Sequence, residues 1–235
     1  MDKLRGSNIL VLGASGALGA LIAQKLVDQG AQVMGTTSSN DNADRIPSAV
    51  APRLLLNLER AESVQVLIDY LIQSDAKIDG LVNATGVVAF GSASELKMET
   101  IERLTAVNLA GPVAVISGLI PALRKSTERG NKPFVVNISG VVAEVPMANL
   151  AAYSATKAGL WAFDQALSRE VRRDGIRVID ARPGHTETGL ASRAISGKSP
   201  AFPTGMSPDL VAARIVEAIL NEETDLPSTS FATVV

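Results

Sequence analysis

A chain of 235 residues is long enough for one large α/β domain, and 46% apolar with 20% charged residues is the profile of a soluble globular protein. A net charge of −2 with no block of like charges argues against a nucleic-acid footprint or a polybasic membrane surface. The absence of cysteine removes disulfides, thiol catalysis and Cys-ligated metals, and the single histidine, His185, leaves too few ligands for a His-rich metal site, so no metal is expected.

In chain order, the first apolar run is Ile9–Leu12, too short for a signal core or a membrane span, so a cytoplasmic location is expected. It reads as a strand, and Ala17–Gln29 as a helix closed by Gly30. Ala31–Thr36 and Arg53–Leu56 follow as strands, Ala61–Gln73 as a helix, and Gly80–Asn83 as a buried strand after the turn-like Asp79-Gly80. A long helical stretch runs from about Glu95 to Arg124. Strand Phe134–Ile138, helix Ala151–Arg173, strand Arg177–Asp180 and helix Pro208–Leu220 come next, with a last strand near Ser230–Val234. Aromatics are scarce, so the core is built from Ala, Leu, Val and Ile, which suits a parallel sheet covered on both faces. Alternating strands and helices imply a single doubly wound domain over residues 1–235, with three α/β/α layers. The one irregular stretch, 184–207, is rich in Gly, Ser, Thr and Pro and reads as a lid over a substrate site.

Between the first strand and the first helix lies Gly13-Ala14-Ser15-Gly16-Ala17-Leu18-Gly19. The first glycine permits a tight turn, the second lets backbone amides approach a pyrophosphate, and Gly19 lets helix and strand pack closely. The helix N-terminus then offers free N–H groups and a positive dipole to the anion. That placement makes the segment a Rossmann-type dinucleotide turn. At the end of the second strand the chain reads Thr36-Thr37-Ser38-Ser39-Asn40, with no carboxylate to repel a 2′-phosphate. NADP is therefore favoured over NAD; the usual supporting arginine is not evident at this point, although Arg45 could reach.

Tyr153 and Lys157 are four residues apart on one helix and so share a face. A phenol titrating near ~10 is a poor proton exchanger at neutral pH. A neighbouring ammonium favours the phenolate, so the pair could pass a proton to or from a carbonyl or alcohol while hydride moves on a nicotinamide. Pro112 has no N–H for the carbonyl of Asn108, which is left free for a water.

Taken together, the glycine turn, Asn83-Ala84-Thr85-Gly86, Asn108, Tyr153/Lys157 and Pro183-Gly184 followed by Thr188 resemble the short-chain dehydrogenase/reductase family over nearly the whole chain. The resemblance implies a homodimeric or homotetrameric oxidoreductase that interconverts a small carbonyl and an alcohol. Tyr153 would be the acid–base, Lys157 would hold the ribose and tune it, and Asn108 would hold a relay water. The implied cofactor set takes in Gly13, Ser15, Gly16, Ala17, Leu18, Gly19, Thr37, Ser38, Asn57 at the adenine, Leu58, Asn83, Ala84, Gly86, Tyr153 and Lys157. It continues with Pro183, Gly184, Thr186 and Thr188 around the carboxamide.

Three departures stand out. The middle glycine comes one residue earlier than single-domain members usually place it, and the fourth-strand motif reads Asn-Ala-Thr-Gly. The family's substrate-orienting serine, thirteen residues before the tyrosine, is Gly140. Ser139 is adjacent, but successive strand residues face opposite ways. Either another donor substitutes (Ser139 itself, Asn149 or a water), or catalysis is weakened or lost, leaving an NADP-binding sensor or scaffold. Val88 to Phe90, Val141, Val142, Met147, Asn149 and 185–205 are the candidate lining of a largely apolar substrate pocket. His185 reads as an ordinary loop histidine.

Overall fold

Short runs rich in Leu, Val and Ile form seven parallel strands: β1 (Asn8–Leu12), β2 (Gln32–Thr37), β3 (Arg53–Leu55), β4 (Gly80–Asn83), β5 (Phe134–Ile138), β6 (Arg177–Ala181) and β7 (Asp225–Leu226). The computed structural model describes residues 3–232. Their order across the sheet is β3-β2-β1-β4-β5-β6-β7. The order reverses between β1 and β4, and a doubly wound sheet opens its ligand crevice at the C-terminal strand ends beside such a reversal.

Side chains alternate along each strand, so Ile9 and Val11 enter one apolar layer and Leu10 and Leu12 the other. The first layer is covered by α1 (Ala17–Asp28) and α6 (Pro208–Leu220), through Ile22, Leu26, Val211, Ile215 and Ile219. The second is covered by α2 (Ala61–Gln73), α4 (Gly111–Glu128) and α5 (Ala151–Glu170), through Val64, Leu67, Ile116, Leu119 and Leu167. Each fully buried Leu or Ile in these layers contributes about 1.5–3 kcal/mol. The expected three-layer, single-domain architecture is present.

The long helix differs in detail from its expectation. A 3-10 turn at Ala93–Glu95 precedes α3 (Met98–Thr105), a π-helical turn at Ala106–Ala110, and then α4. Pro112 has no N–H to give, and Gly111 donates its own N–H to the carbonyl of Ala106, five residues back. By length and composition the run Met98–Glu128 could cross a membrane. Here it is a core helix, with Leu104, Val115, Ile116, Leu119 and Leu123 fully buried.

The last strand lies elsewhere than expected. Only Asp225 and Leu226 pair with β6, and Pro227, which has no ladder donor, precedes a 3-10 turn at Ser228–Phe231. The expected Ser230–Val234 strand falls partly on that turn and partly outside the described residues.

Candidate active site

The ends of β1, β4, β5 and β6 converge on one cavity of about 250 Å³, whereas Thr37, Ser38, Asn57 and Leu58 at the ends of β2 and β3 do not line it. Gly16, Ala17 and Leu18 line it from the turn after β1, and Ala84, Thr85 and Gly86 from the end of β4. Ser139 and Gly140 line it from β5, Tyr153 and Lys157 from α5, and Pro183, Gly184, Thr186 and Thr188 from beyond β6. The far wall is apolar: Val88, Phe90, Val141, Val142, Met147, Leu150, Leu190 and Phe202. Of the expected lining, Ala89 and Asn149 sit outside this cavity. The Asn149 backbone takes φ 63° and its carbonyl accepts from Gly91 N, and Leu150, which sequence reading passed over, takes the place at the wall.

The glycine turn is shaped by close approach. Gly13 has φ +76°, and its N–H donates to Thr36 Oγ1 at 3.0 Å, a tie that the sequence reading missed. A Cβ on Gly19 would lie 2.2 Å from Gly13 O. Helix α1 starts with no side-chain cap and no acidic residue in its first turn. Its first N–H groups are thus left to a ligand or water, the donor set a pyrophosphate needs.

On the adenosine side the sequence-derived residues are only partly turned to a ligand. Thr37 Oγ1 donates to Ser39 O at 3.0 Å, while Ser38 is exposed. Asn57 Oδ1 accepts from Glu59 N at 2.9 Å, tying its side chain to the approach to α2. Leu58 is buried against Gly111, whose added Cβ would meet Leu58 Cδ2 at 2.8 Å. Asn83 bridges to Asn137 Oδ1 at 2.8 Å and accepts from Thr85 N.

Around the reactive pair, Lys157 Nζ donates to Ile138 O at 2.7 Å. Asn108 is buried and fully engaged: its Oδ1 accepts from Val87 N at 2.9 Å, and its Nδ2 donates to Val87 O and to Thr156 Oγ1. Thr156 Oγ1 in turn donates to Tyr153 O at 2.8 Å, so Asn108 fixes the first turn of α5. Gly86 keeps this corner open, because an added Cβ would lie 3.5 Å from Asn108 Oδ1 and 3.7 Å from Lys157 Nζ.

The electrostatics reverse one expectation. Burial pushes the Tyr153 phenol up to about 12. Burial brings Lys157 down to about 8, with the charges of Asp180 and Asp164 acting the other way. The protein's own groups therefore do not lower the phenol. Desolvation alone raises the phenol, while the ammonium is bonded to the Ile138 carbonyl and lies in the field of the two aspartates.

Ser139 is buried, and its hydroxyl donates to Asp180 Oδ1 at 2.7 Å. A hydroxyl has one proton to give, so it is not free for a substrate oxygen. Gly140 takes φ 81° and ψ 163°, a conformation that is essentially glycine's alone. His185 stacks on Phe202 with ring centroids 4.8 Å apart and has Nε2 3.4 Å from Glu187 Oε1. The buried aspartates were not singled out from sequence. Asp164 lies seven residues after Lys157, on the same helical stripe, and that spacing was the available signal.

A family model described as short chain dehydrogenase matches residues 7–198. The 3-oxoacyl-acyl-carrier-protein reductase FabG of Salmonella typhimurium is 31% identical over 83% of this chain and 79% of its own. A short-chain dehydrogenase structure from Streptomyces avermitilis superposes with TM-score 0.82 at 27% identity, covering 97% of this chain and 91% of the other. One from Sphingobium yanoikuyae, solved in complex with NADPH, shares the fold with TM-score 0.81 at 24% identity, over 94% and 87% of the two chains. With the matched segment carrying the glycine turn, the sheet reversal and the tyrosine–lysine helix, this chain belongs to the short-chain dehydrogenase family of oxidoreductases.

Proposed function

We propose that the protein is an NADP-dependent oxidoreductase that interconverts a carbonyl and an alcohol on a small, mainly apolar substrate. The observation that carries this reading is the single cavity with the uncapped α1 N-terminus at one end, an apolar wall at the other, and Tyr153 with Lys157 between.

The residues present fit a dinucleotide. Residue 19 lies too close to Gly13 O to carry a Cβ, so α1 starts tight against β1, and the amides at the start of α1 would take the pyrophosphate. Ala84 and Gly86 would flank the ribose, Lys157 would hold its hydroxyls, and Pro183, Gly184, Thr186 and Thr188 would meet the carboxamide. Ser38 and Arg45, with no carboxylate at the end of β2, support a 2′-phosphate there. The cofactor, when bound, supplies or takes the hydride.

The chain's own part is the proton. Tyr153 gives its phenolic proton to the carbonyl oxygen in reduction and takes one from the alcohol in oxidation. Asn108, through Thr156, holds the backbone of Tyr153 in place. Segment 184–207 contributes Thr188, Leu190 and Phe202 to the cavity wall, which supports its reading as the lid. The small, exposed Ala151, Ala155 and Ala162 of α5 support a homodimer or homotetramer packed through that helix.

A second reading rests on one observation. Gly140 stands at the serine position and Ser139 gives its proton to Asp180, so no side chain there donates to the substrate oxygen. Loss of one such donor costs about 10²–10³ in rate, and a sensor that binds NADP without turnover is the limit of that loss. Titration with NADPH and NADH by fluorescence, followed by cofactor oxidation against apolar ketones, aldehydes and quinones, separates the two. Turnover abolished by Tyr153→Phe supports the enzyme, tight binding with no turnover supports the sensor, and absence of binding refutes both.

A further inference from the structure

Behind the cavity, the strand register assembles a row of polar residues, buried at Asn83, Asn137 and Asp180 and exposed at its Asp225 end. Asn83 pairs with Asn137, Asn137 with Asp180, and Asp180 with Asp225 across β4, β5, β6 and β7. Helix α5 lays its stripe over this row, with Lys157 and Asp164 seven residues, or two turns, apart. Asn137 Nδ2 donates to Asp164 Oδ1 at 2.6 Å. Asp180 Oδ1 accepts both Ser139 Oγ at 2.7 Å and Arg182 Nη1 at 2.6 Å.

That arrangement uses one oxygen of each carboxyl. The other oxygens, Oδ2 of Asp164 and Oδ2 of Asp180, are buried with no donor among the described residues, and the charge of Asp180 acts on the Asp164 carboxyl. Two ionised carboxylates in that position would repel across a dry interior, whereas one proton between them satisfies both bare oxygens. Asp180 Oδ1 is bonded to the Arg182 guanidinium, whereas the bond of Asp164 Oδ1 is to the neutral amide of Asn137, which places the shared proton on Asp164. In agreement, burial and the charge of Asp180 hold the Asp164 carboxyl well above the usual carboxylate range.

We propose that Asp164 and Asp180 share one proton, and that the single negative charge the pair retains is the internal counter-ion that keeps Lys157 protonated. Asp180 is thus a positioning residue that acts through Lys157, and this rests on the reading of Lys157 as part of the reactive site. The charged groups around the pair are Lys157 from α5, Arg182 beyond β6, Glu144 after β5 and Asp225 on β7. Glu144 and Asp225 are bonded to Arg182, and the charges that act on Lys157 are those of Asp180 and Asp164. The other contacts of the ammonium are neutral: the Ile138 carbonyl and the open corner at Gly86.

The test is a titration of the full chain by NMR, with isotope-labelled aspartate carboxyls and lysine side chains, Lys157 being assigned through Lys157→Met. In the unmodified chain one carboxyl of the pair stays protonated through neutral pH. Asp180→Asn lowers the Lys157 midpoint by about one pH unit or more. Asp164→Asn, which imitates the protonated member, leaves that midpoint in place. In the enzyme assay the alkaline limb of kcat/KM moves in the acid direction for Asp180→Asn alone.

Two ionised carboxyls at neutral pH overturn the proposal. So does an Asp164→Asn shift as large as that of Asp180→Asn, or no shift in either. If Asp180→Asn does not fold, the carboxyl titration of the unmodified chain and the Asp164→Asn variant decide the matter. None of these resonances needs turnover, so a chain that binds no nucleotide would defeat the reading of the cavity while the counter-ion remained open to this measurement.

Discussion

Gly19 and Gly13 stand so close that a Cβ on the first would lie 2.2 Å from the carbonyl oxygen of the second. No real Cβ sits that near an oxygen, so the helix can start against the strand only while residue 19 is glycine. Gly19→Ala must push α1 away from β1 and spoil the array of N–H groups at its first turn. The expected cost is about 1–3 kcal/mol of stability, as for other overpacked sites. NADPH affinity falls about tenfold or more, which corresponds to ~1.4 kcal/mol. Thermal unfolding and a fluorescence titration read the two effects, and unchanged affinity in a folded variant would contradict the assignment of this turn to the pyrophosphate.

Gly140 gives a prediction that runs against simple restoration of the family's serine. An added Cβ there meets nothing closer than Pro183 O at 3.7 Å, so space is not the obstacle. The backbone is, because φ 81° with ψ 163° strains any other residue by about 1–3 kcal/mol. Gly140→Ser and Gly140→Ala are therefore expected to lose similar stability. A serine variant much more stable than the alanine one would show that the new hydroxyl had found a partner and reshaped the turn.

These two glycines also mark how far the sequence could be read. The Gly13–Gly19 turn, the alternation of strands and helices, and the Tyr153/Lys157 spacing are local patterns, and the fold and the cavity follow from them. The Asp164–Asp180–Arg182 cluster joins a helix to a strand through register, and register is set by packing rather than by neighbours in the chain. Strand β7, two residues long, is too short to display a period. Spacing reports which groups share a face but not how much water they keep, so the rise of the Tyr153 phenol on burial is not legible in it.

Arg182 should be the most sensitive charge in the molecule. It is buried under the Trp161 ring, 5.0 Å from its centroid, and pairs with Glu144, Asp180 and Asp225. Glu144 also accepts Ser228 N and Oγ, so this one guanidinium ties the segment after β5 to the C-terminal turn. Arg182→Ala leaves the buried Asp180 carboxylate and the half-buried Glu144 without their cation, and a loss of about 3–5 kcal/mol in urea unfolding is expected. A loss below ~1 kcal/mol would mean that water reaches the cluster.

Cofactor choice is tested at Ser38, exposed at the end of β2 where a carboxylate is missing. Ser38→Asp places a negative charge where the 2′-phosphate is proposed to sit, and like charges at close range repel. NADPH affinity should fall by about tenfold or more, with NADH affinity held or improved. Equal loss of both cofactors would place the 2′ position elsewhere.

Lys157 and Tyr153 make opposite contributions to stability as the solution becomes alkaline. Burial brings Lys157 from 10.5 down to about 8, so between those values the unfolded chain binds a proton that the fold has released. Stability from this group rises with pH across that window, by up to ~1.4 kcal/mol per pH unit. Tyr153 is raised from 10.0 to about 12, so above pH 10 the fold keeps a proton that the unfolded chain loses, and stability from this group falls. Urea midpoints for the unmodified chain, Lys157→Met and Tyr153→Phe between pH 7 and pH 11 separate the two contributions. The unmodified chain should gain on Lys157→Met above pH 8 and lose ground to Tyr153→Phe above pH 10. If the Lys157→Met curve runs parallel to that of the unmodified chain, the lysine is hydrated rather than buried, and it would need no internal counter-ion.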